Sequence, residues 1–148
     1  MNDTEIVIRL ARLEDSAEIA GLLSELGYPA SDEDTKDRLS RFNALTDATF
    51  VADKNGAILG FVSIHLLHMI HASELLGKVI GLVVTEKFRG LGIGKSLLKS
   101  AEVFAKNNGA KRLEIISGNH RTKAHQFYRK LGYLATNQTR FILENINT

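Results

Sequence analysis

Apolar positions along the chain recur at two spacings, one suited to strands and one to helices, and most changes between them fall at Gly, Asn or Asp. EIVIRLA (residues 5–11) predicts a strand. Ala17, Ala20 and Leu23, with the offset set Ile19, Leu22 and Leu26, predict a helix ending near Gly27. Ser31 followed by Asp32, Glu33 and Asp34 reads as an N-cap with an acidic first turn, opening a short helix through Leu39 and Phe42. In TFVADKNGAILGFVSIHLL (residues 49–67), Asn55-Gly56 marks a tight hairpin between two strands. KVIGLVV (residues 78–84) is almost continuously apolar, which predicts a central strand covered on both faces. Ile93, Leu97, Leu98, Ala101, Phe104 and Ala105 then keep helical spacing until Asn107-Asn108-Gly109 stops it. KRLEIIS (residues 111–117) predicts a strand, residues 122–131 a helix stopped by Gly132, and RFIL (residues 140–143) a final strand.

Composition narrows what this order of elements can be. A length of 148 residues suits one domain spanning residues 1–148, large enough to bury its own core. Apolar residues at 44% and charged residues at 24% are ordinary for a soluble globular protein. The net charge of +2 is slight and its Lys and Arg are dispersed, which argues against a nucleic-acid surface. Without cysteine, disulfides, thiolate zinc sites and a cysteine nucleophile are excluded. The opening MNDTEIVIRL carries acids and lacks the apolar stretch of a signal peptide, and no run approaches the ~20 apolar residues of a membrane span. A cytoplasmic protein with no membrane partner is the expectation.

The chemistry concentrates in RGLGIGKSLL (residues 89–98), between the buried strand and a helix N-terminus. Unpaired amides and the helix dipole favour an anion there, and Gly90, Gly92 and Gly94 clear side chains from its path. Two nucleotide motifs each fail by one residue. A P-loop ending in Gly94-Lys95-Ser96 needs a glycine where Arg89 stands, and the next strand ends in Ser117-Gly118-Asn119 without an Asp for magnesium. A dinucleotide fingerprint starting at Gly90 needs a glycine at Lys95. A glycine-rich turn that binds nothing is the remaining reading.

At RGLGIG the sequence resembles the GNAT family of N-acetyltransferases, whose acetyl-CoA loop is Arg or Gln, two residues, Gly, one residue, then Gly or Ala. GLVVTEKF (residues 81–88) and AHQFYRKLGY (residues 124–133) are similar to two further family segments, in the family's order. The resemblance implies an α/β fold of the mixed α+β kind, a single domain whose mostly antiparallel twisted sheet is flanked by about four helices. It also implies acetyl-CoA as cosubstrate, with the backbone of Leu82, Val83 and Val84 pairing with the pantetheine arm. Arg89, Gly90, Leu91, Gly92, Ile93, Gly94, Lys95 and Ser96 would surround the pyrophosphate, and Asn119 and Tyr128 would also contact the cofactor. Tyr128 is further implied as the general acid that protonates the departing thiolate, a role suited to a phenol with pKa near 10.

Many members carry a Glu on the cofactor strand as general base, and here Ile80 and Gly81 stand in that neighbourhood. An alkylammonium of pKa near 10 must lose a proton before it attacks, so an acceptor is required. The candidates are His65, His68, His71 and Glu74, at or after the end of the preceding strand. The spacing of three between histidines alternates strand faces, and no Cys or carboxylate completes a ligand set, so no metal is expected. Residues 27–42 fall where the family forms part of its acceptor pocket. The SIHLLHMIHASELLGKVIGLVV segment is loosely similar to the aminoalkylphosphonate N-acetyltransferases. The expected partners are coenzyme A and a small primary amine, with room for a homodimer. The competing readings are a protein or peptide N-acetyltransferase and a non-catalytic acyl-CoA sensor.

Overall fold

Residues 5–147 are described by a computed structural model, in two compact units that divide after Ile116. In the first unit the order is β1 (Val7–Leu10), a 3-10 turn (Leu13–Asp15), α1 (Ser16–Leu26), α2 (Asp32–Ser40), β2 (Asp47–Lys54), β3 (Ala57–Met69) and β4 (Ala72–Val84). A second 3-10 turn (Glu86–Phe88), α3 (Ile93–Asn107) and β5 (Ala110–Ile115) complete it. The second unit holds α4 (Thr122–Lys130). The sheet runs β1-β2-β3-β4-β5, with every neighbouring pair antiparallel except β4 and β5, which are parallel. This is the mixed, mostly antiparallel α/β architecture expected from the resemblance.

Strand alternation divides the first unit into two packed faces. Val51, Phe61 and Val83 are register partners across β2, β3 and β4, and they cluster with Ile19 and Leu22 of α1. The opposite face meets α3: Phe50 makes an edge contact with Phe104, and a Cβ built on Gly60 would come 3.2 Å from the Leu97 side chain. Leu97 and Leu98 of α3 are fully buried, as the helical spacing predicts. Gly60 is required for a further reason, since that same Cβ would stand 2.6 Å from the Val83 carbonyl oxygen. A side chain at this position would push β3 away from the end of β4.

Polar contacts fasten the edges of these layers. The Ser31 hydroxyl accepts the Asp34 amide at 3.0 Å, capping α2 as predicted, and the Ser16 hydroxyl donates to Asp32. Arg9 grips Asp15 with two hydrogen bonds, 2.8 and 2.9 Å, and donates to Asp53 at 3.0 Å, tying β1 to β2 and to the start of α1. The Arg9 contact, together with the Arg12 amide, outweighs burial and holds the Asp15 carboxyl below its ordinary range.

Two expectations are corrected. The strand predicted to end at Leu67 continues to Met69, turns at residues 70–71 and returns as β4 from Ala72, six residues before the predicted Lys78 start. His65 and His68 therefore lie inside β3 and Glu74 inside β4, while His71 sits in the turn. The RFIL segment is not a strand; among the described residues no regular element follows α4. Phe and Ile suit a sheet surface but do not make a strand without a ladder partner.

Candidate active site

Strand β4 has a partner on both sides for only part of its length. Its pairing with β3 extends to Val84, whereas its pairing with β5 runs from Leu75 to Val79 and stops. From residue 80 onward the β5 side of β4 has no strand partner among the described residues. The divergence coincides with a bulge: Ile64 is opposite Val79 and Ser63 opposite Gly81, so Ile80 is the extra residue, and its side chain is 63% exposed. Leu82, Val83 and Val84 thus lie on a stretch of strand whose outer edge no other strand covers among the described residues.

The chain leaves that edge through a turn held at several points. The Thr85 amide donates to the Leu59 carbonyl at 2.8 Å, and the Thr85 hydroxyl donates to Glu25 at 2.9 Å. Arg89 donates through Nε to the Val84 carbonyl at 2.8 Å, so this guanidinium clamps the turn onto the strand end as well as adding charge there. Gly90 and Gly92 take φ values of +79° and +87°, where an L side chain is strained, and a Cβ added to either meets nothing within 4 Å. The space before the turn is therefore open.

Gly92 is the N-cap of α3 and supplies no side chain to satisfy the helix end, whose first intrahelical bond is from the Ser96 amide to the Gly92 carbonyl at 3.1 Å. The amides of Ile93, Gly94 and Lys95 precede that bond and have no intrahelical acceptor. No acid occupies the first turn, and Lys95 and Ser96 are exposed beside the exposed Leu91. Positive dipole, free amides and two cations together fit a phosphate group.

The four base candidates are not brought together. His65 lies opposite Asp47 of β2 and Lys78 of β4, on the α1 side of the sheet. Its Nδ1 is 3.0 Å from Asp47 Oδ1, and its ring meets Phe42 edge-on at 5.1 Å. His68 falls on the other face, and His71 is exposed in the hairpin turn. Glu74 lies four residues from Lys78 along β4, roughly 13 Å at strand rise.

Asp47 was not among the sequence candidates, because its pairing with a residue eighteen places away emerges only from the β2–β3 register. Burial raises its pKa, but the Asn43 amide at 2.8 Å and the His65 contact outweigh that and leave the carboxyl below its ordinary range. Beside the pair, the Thr49 and Ser63 hydroxyls lie 3.2 Å apart on the same face.

In the second unit, Tyr128 lies on α4, half-buried between the rings of Phe127, at 5.5 Å, and Tyr133, at 6.2 Å. Burial raises its phenol pKa, partly offset by the charge of Arg121, so the hydroxyl is protonated at neutral pH. Asn119 is exposed in the turn before α4.

The profile described as the Acetyltransferase (GNAT) family matches residues 14–133. The aminoalkylphosphonate N-acetyltransferase of Salmonella typhimurium is 36% identical over 83 residues, 56% of this chain and 54% of that protein, so the match spans about half of its length. An uncharacterized N-acetyltransferase of Bacillus subtilis is 29% identical over 131 residues, 85% of this chain and 88% of that protein. A solved aminoglycoside N-acetyltransferase in complex with CoA superposes with a TM-score of 0.82 at 18% identity, covering 96% of each chain, a likeness of fold. With a family match over most of its length and the open β4 edge leading into a glycine turn, the chain belongs to the GNAT acetyltransferase family.

Proposed function

We propose that the protein transfers the acetyl group of acetyl-CoA to a primary amine of a small molecule, by direct attack within a ternary complex. The observation that carries this reading is the β4 edge, open from residue 80 and continuing into the anion-binding end of α3. The amides of Ile93, Gly94 and Lys95, with the charges of Arg89 and Lys95, bind the pyrophosphate. The backbone of residues 82–84 receives the pantetheine arm as an added strand, which directs the thioester toward the Ile80 bulge. The amine attacks there; the family resemblance, rather than any placement of α4, assigns Tyr128 as the donor of the proton that sulfur takes as the C–S bond breaks. The 36% identity to an aminoalkylphosphonate N-acetyltransferase supports a small amine acceptor.

The test mixes the protein with acetyl-CoA, a thiol reagent and panels of small amines and peptides. Thiol release with small amines alone is expected. Release only with peptides points to a protein N-acetyltransferase, and CoA binding without release to any acceptor points to a sensor; either overturns the proposal.

A further inference from the structure

We propose that His65 is the residue that takes the proton from the acceptor amine, and that Asp47 is the positioning residue that holds its imidazole in the required tautomer. This deepens the transferase reading and rests on it. The place of the thioester follows from that of the pyrophosphate. With the pyrophosphate at the start of α3, the arm runs back along β4 from Val84 toward Ile80, and its reactive end stops where β5 closes against β4 at Val79. His65 is paired with Lys78, the next residue along, and its same-face neighbour Ser63 is paired with Gly81 across the bulge. Its side chain therefore stands on the α1 face of β3, across β4 from the reactive end of the gap and one strand spacing of about 4.8 Å from Lys78. Each other candidate fails on position: His68 is on the opposite face, His71 is in the turn about seven residues from Lys78, and Glu74 is roughly 13 Å along the strand.

The dyad geometry sets the chemistry. Asp47 accepts the Asn43 amide at 2.8 Å, and the Asp47 amide donates to the Asn43 carbonyl at 2.7 Å, so the carboxylate is fixed by the turn that precedes β2. An ionised carboxylate only accepts hydrogen bonds, so His65 Nδ1 must donate at the observed 3.0 Å. The neutral ring then carries its lone pair on Nε2, the form that can receive a proton. Phe42 packs edge-on against the same ring and limits its rotation. The charged groups nearest in register are Asp47 from β2, Lys78 from β4 and, one strand further, Glu114 from β5. At the α2 end Arg41 is already paired with Asp37 at 2.7 Å.

The proton balance closes. Nε2 takes one proton from the alkylammonium, whose freed lone pair forms the N–C bond. The C–S bond then breaks with its electron pair on sulfur. The sulfur takes its proton from Tyr128; of the two protons the ammonium loses overall, one passes from the imidazole to solvent and the second, released from nitrogen as the C–S bond breaks, restores the Tyr128 hydroxyl.

The test begins with wild-type thiol release. If no amine supports release, the transferase reading itself has failed, whatever the dyad does. With an active amine in hand, His65→Gln should lower kcat by about 10²-fold near pH 7, leave the KM for acetyl-CoA unchanged, and lose less as the pH approaches the amine pKa of ~10. Asp47→Asn should lower kcat by roughly 10-fold or more, with the same pH signature. Nitrogen-15 NMR of labelled histidine, the His65 signal assigned by its loss in His65→Gln, should find the neutral ring protonated on Nδ1 in wild type and a shifted tautomer balance in Asp47→Asn. A pH-independent loss in His65→Gln, wild-type kcat in either variant, or a wild-type ring protonated on Nε2 overturns the proposal. The wild-type NMR result decides the matter even if Asp47→Asn does not fold.

Discussion

The turn at residues 89–96, the proposed cofactor site, and the turn at residues 43–47, beside the proposed base, are built by different means. The first presents backbone: two glycines at positive φ, amides at a helix end, and an arginine that spends its Nε on a carbonyl of its own strand. The second presents a side chain, Asp47, aimed at a histidine on the adjacent strand. A backbone site depends on where side chains are absent, so it needs glycine at fixed spacing and tolerates many residues elsewhere. A side-chain site depends on one pairing and on the register that creates it. On the proposed reading the backbone end suits a ligand common to a family, whereas the side-chain end can change with a single substitution.

The substitution expected to have the largest effect attacks the backbone turn alone. Gly92→Asp forces a side chain into φ +87° and sets a negative charge at the α3 amides. Coenzyme A affinity measured by calorimetry should fall by about 10²-fold or more, about 2.7 kcal/mol, while the fold signal by circular dichroism stays close to wild type. Unchanged affinity, or preference for ATP with magnesium over coenzyme A, would erase the contrast between the two turns and restore a nucleotide reading.

Tyr128→Phe sharpens the contrast by removing one hydroxyl that belongs to neither turn. Turnover should drop by roughly 10²-fold, within the range for general acid catalysis, with coenzyme A affinity nearly unchanged. Retention of turnover within about threefold would make Tyr128 a packing aromatic, consistent with its rings of contact to Phe127 and Tyr133.

A smaller effect is expected from loosening the frame beneath both turns. Asp15→Asn breaks the paired contact with Arg9 and should cost about 2 kcal/mol of stability near neutral pH, leaving coenzyme A affinity unchanged. The Asp15 carboxyl titrates lower when folded than unfolded, so the stabilisation is complete above the ordinary carboxylate value of about 3.9. It is lost as the pH falls through the depressed folded value, and the gap between wild type and Asp15→Asn in urea unfolding should close in that window. A gap constant down to pH 2 would contradict the assignment.

The same distinction separates the features that are legible in the sequence from those that are not. The Asn55-Gly56 hairpin, the Ser31 cap and the glycine turn were readable because each depends on residues a few places apart. The tip of the β3–β4 hairpin was not: Met69, Ile70, His71 and Ala72 include no Gly, Pro, Asn or Asp, so nothing local marks a turn at residues 70–71. The RFIL segment differs in the opposite sense, since its strand-like composition has no ladder partner and forms no strand. Asp47 was hidden by distance along the chain, and its one local signal, an Asp four residues after Asn43 at a strand start, is common in turns that bind nothing.

The central claim is that acetyl-CoA lies along the open edge of β4 with its pyrophosphate at the start of α3. Amide hydrogen exchange with and without coenzyme A tests it directly, because both regions would present backbone amides to a ligand bound there. The account predicts slowed exchange at Leu82, Val84 and residues 93–95 on binding, with the hairpin turn at residues 70–71 unaffected. Binding that protects neither of those segments would contradict it.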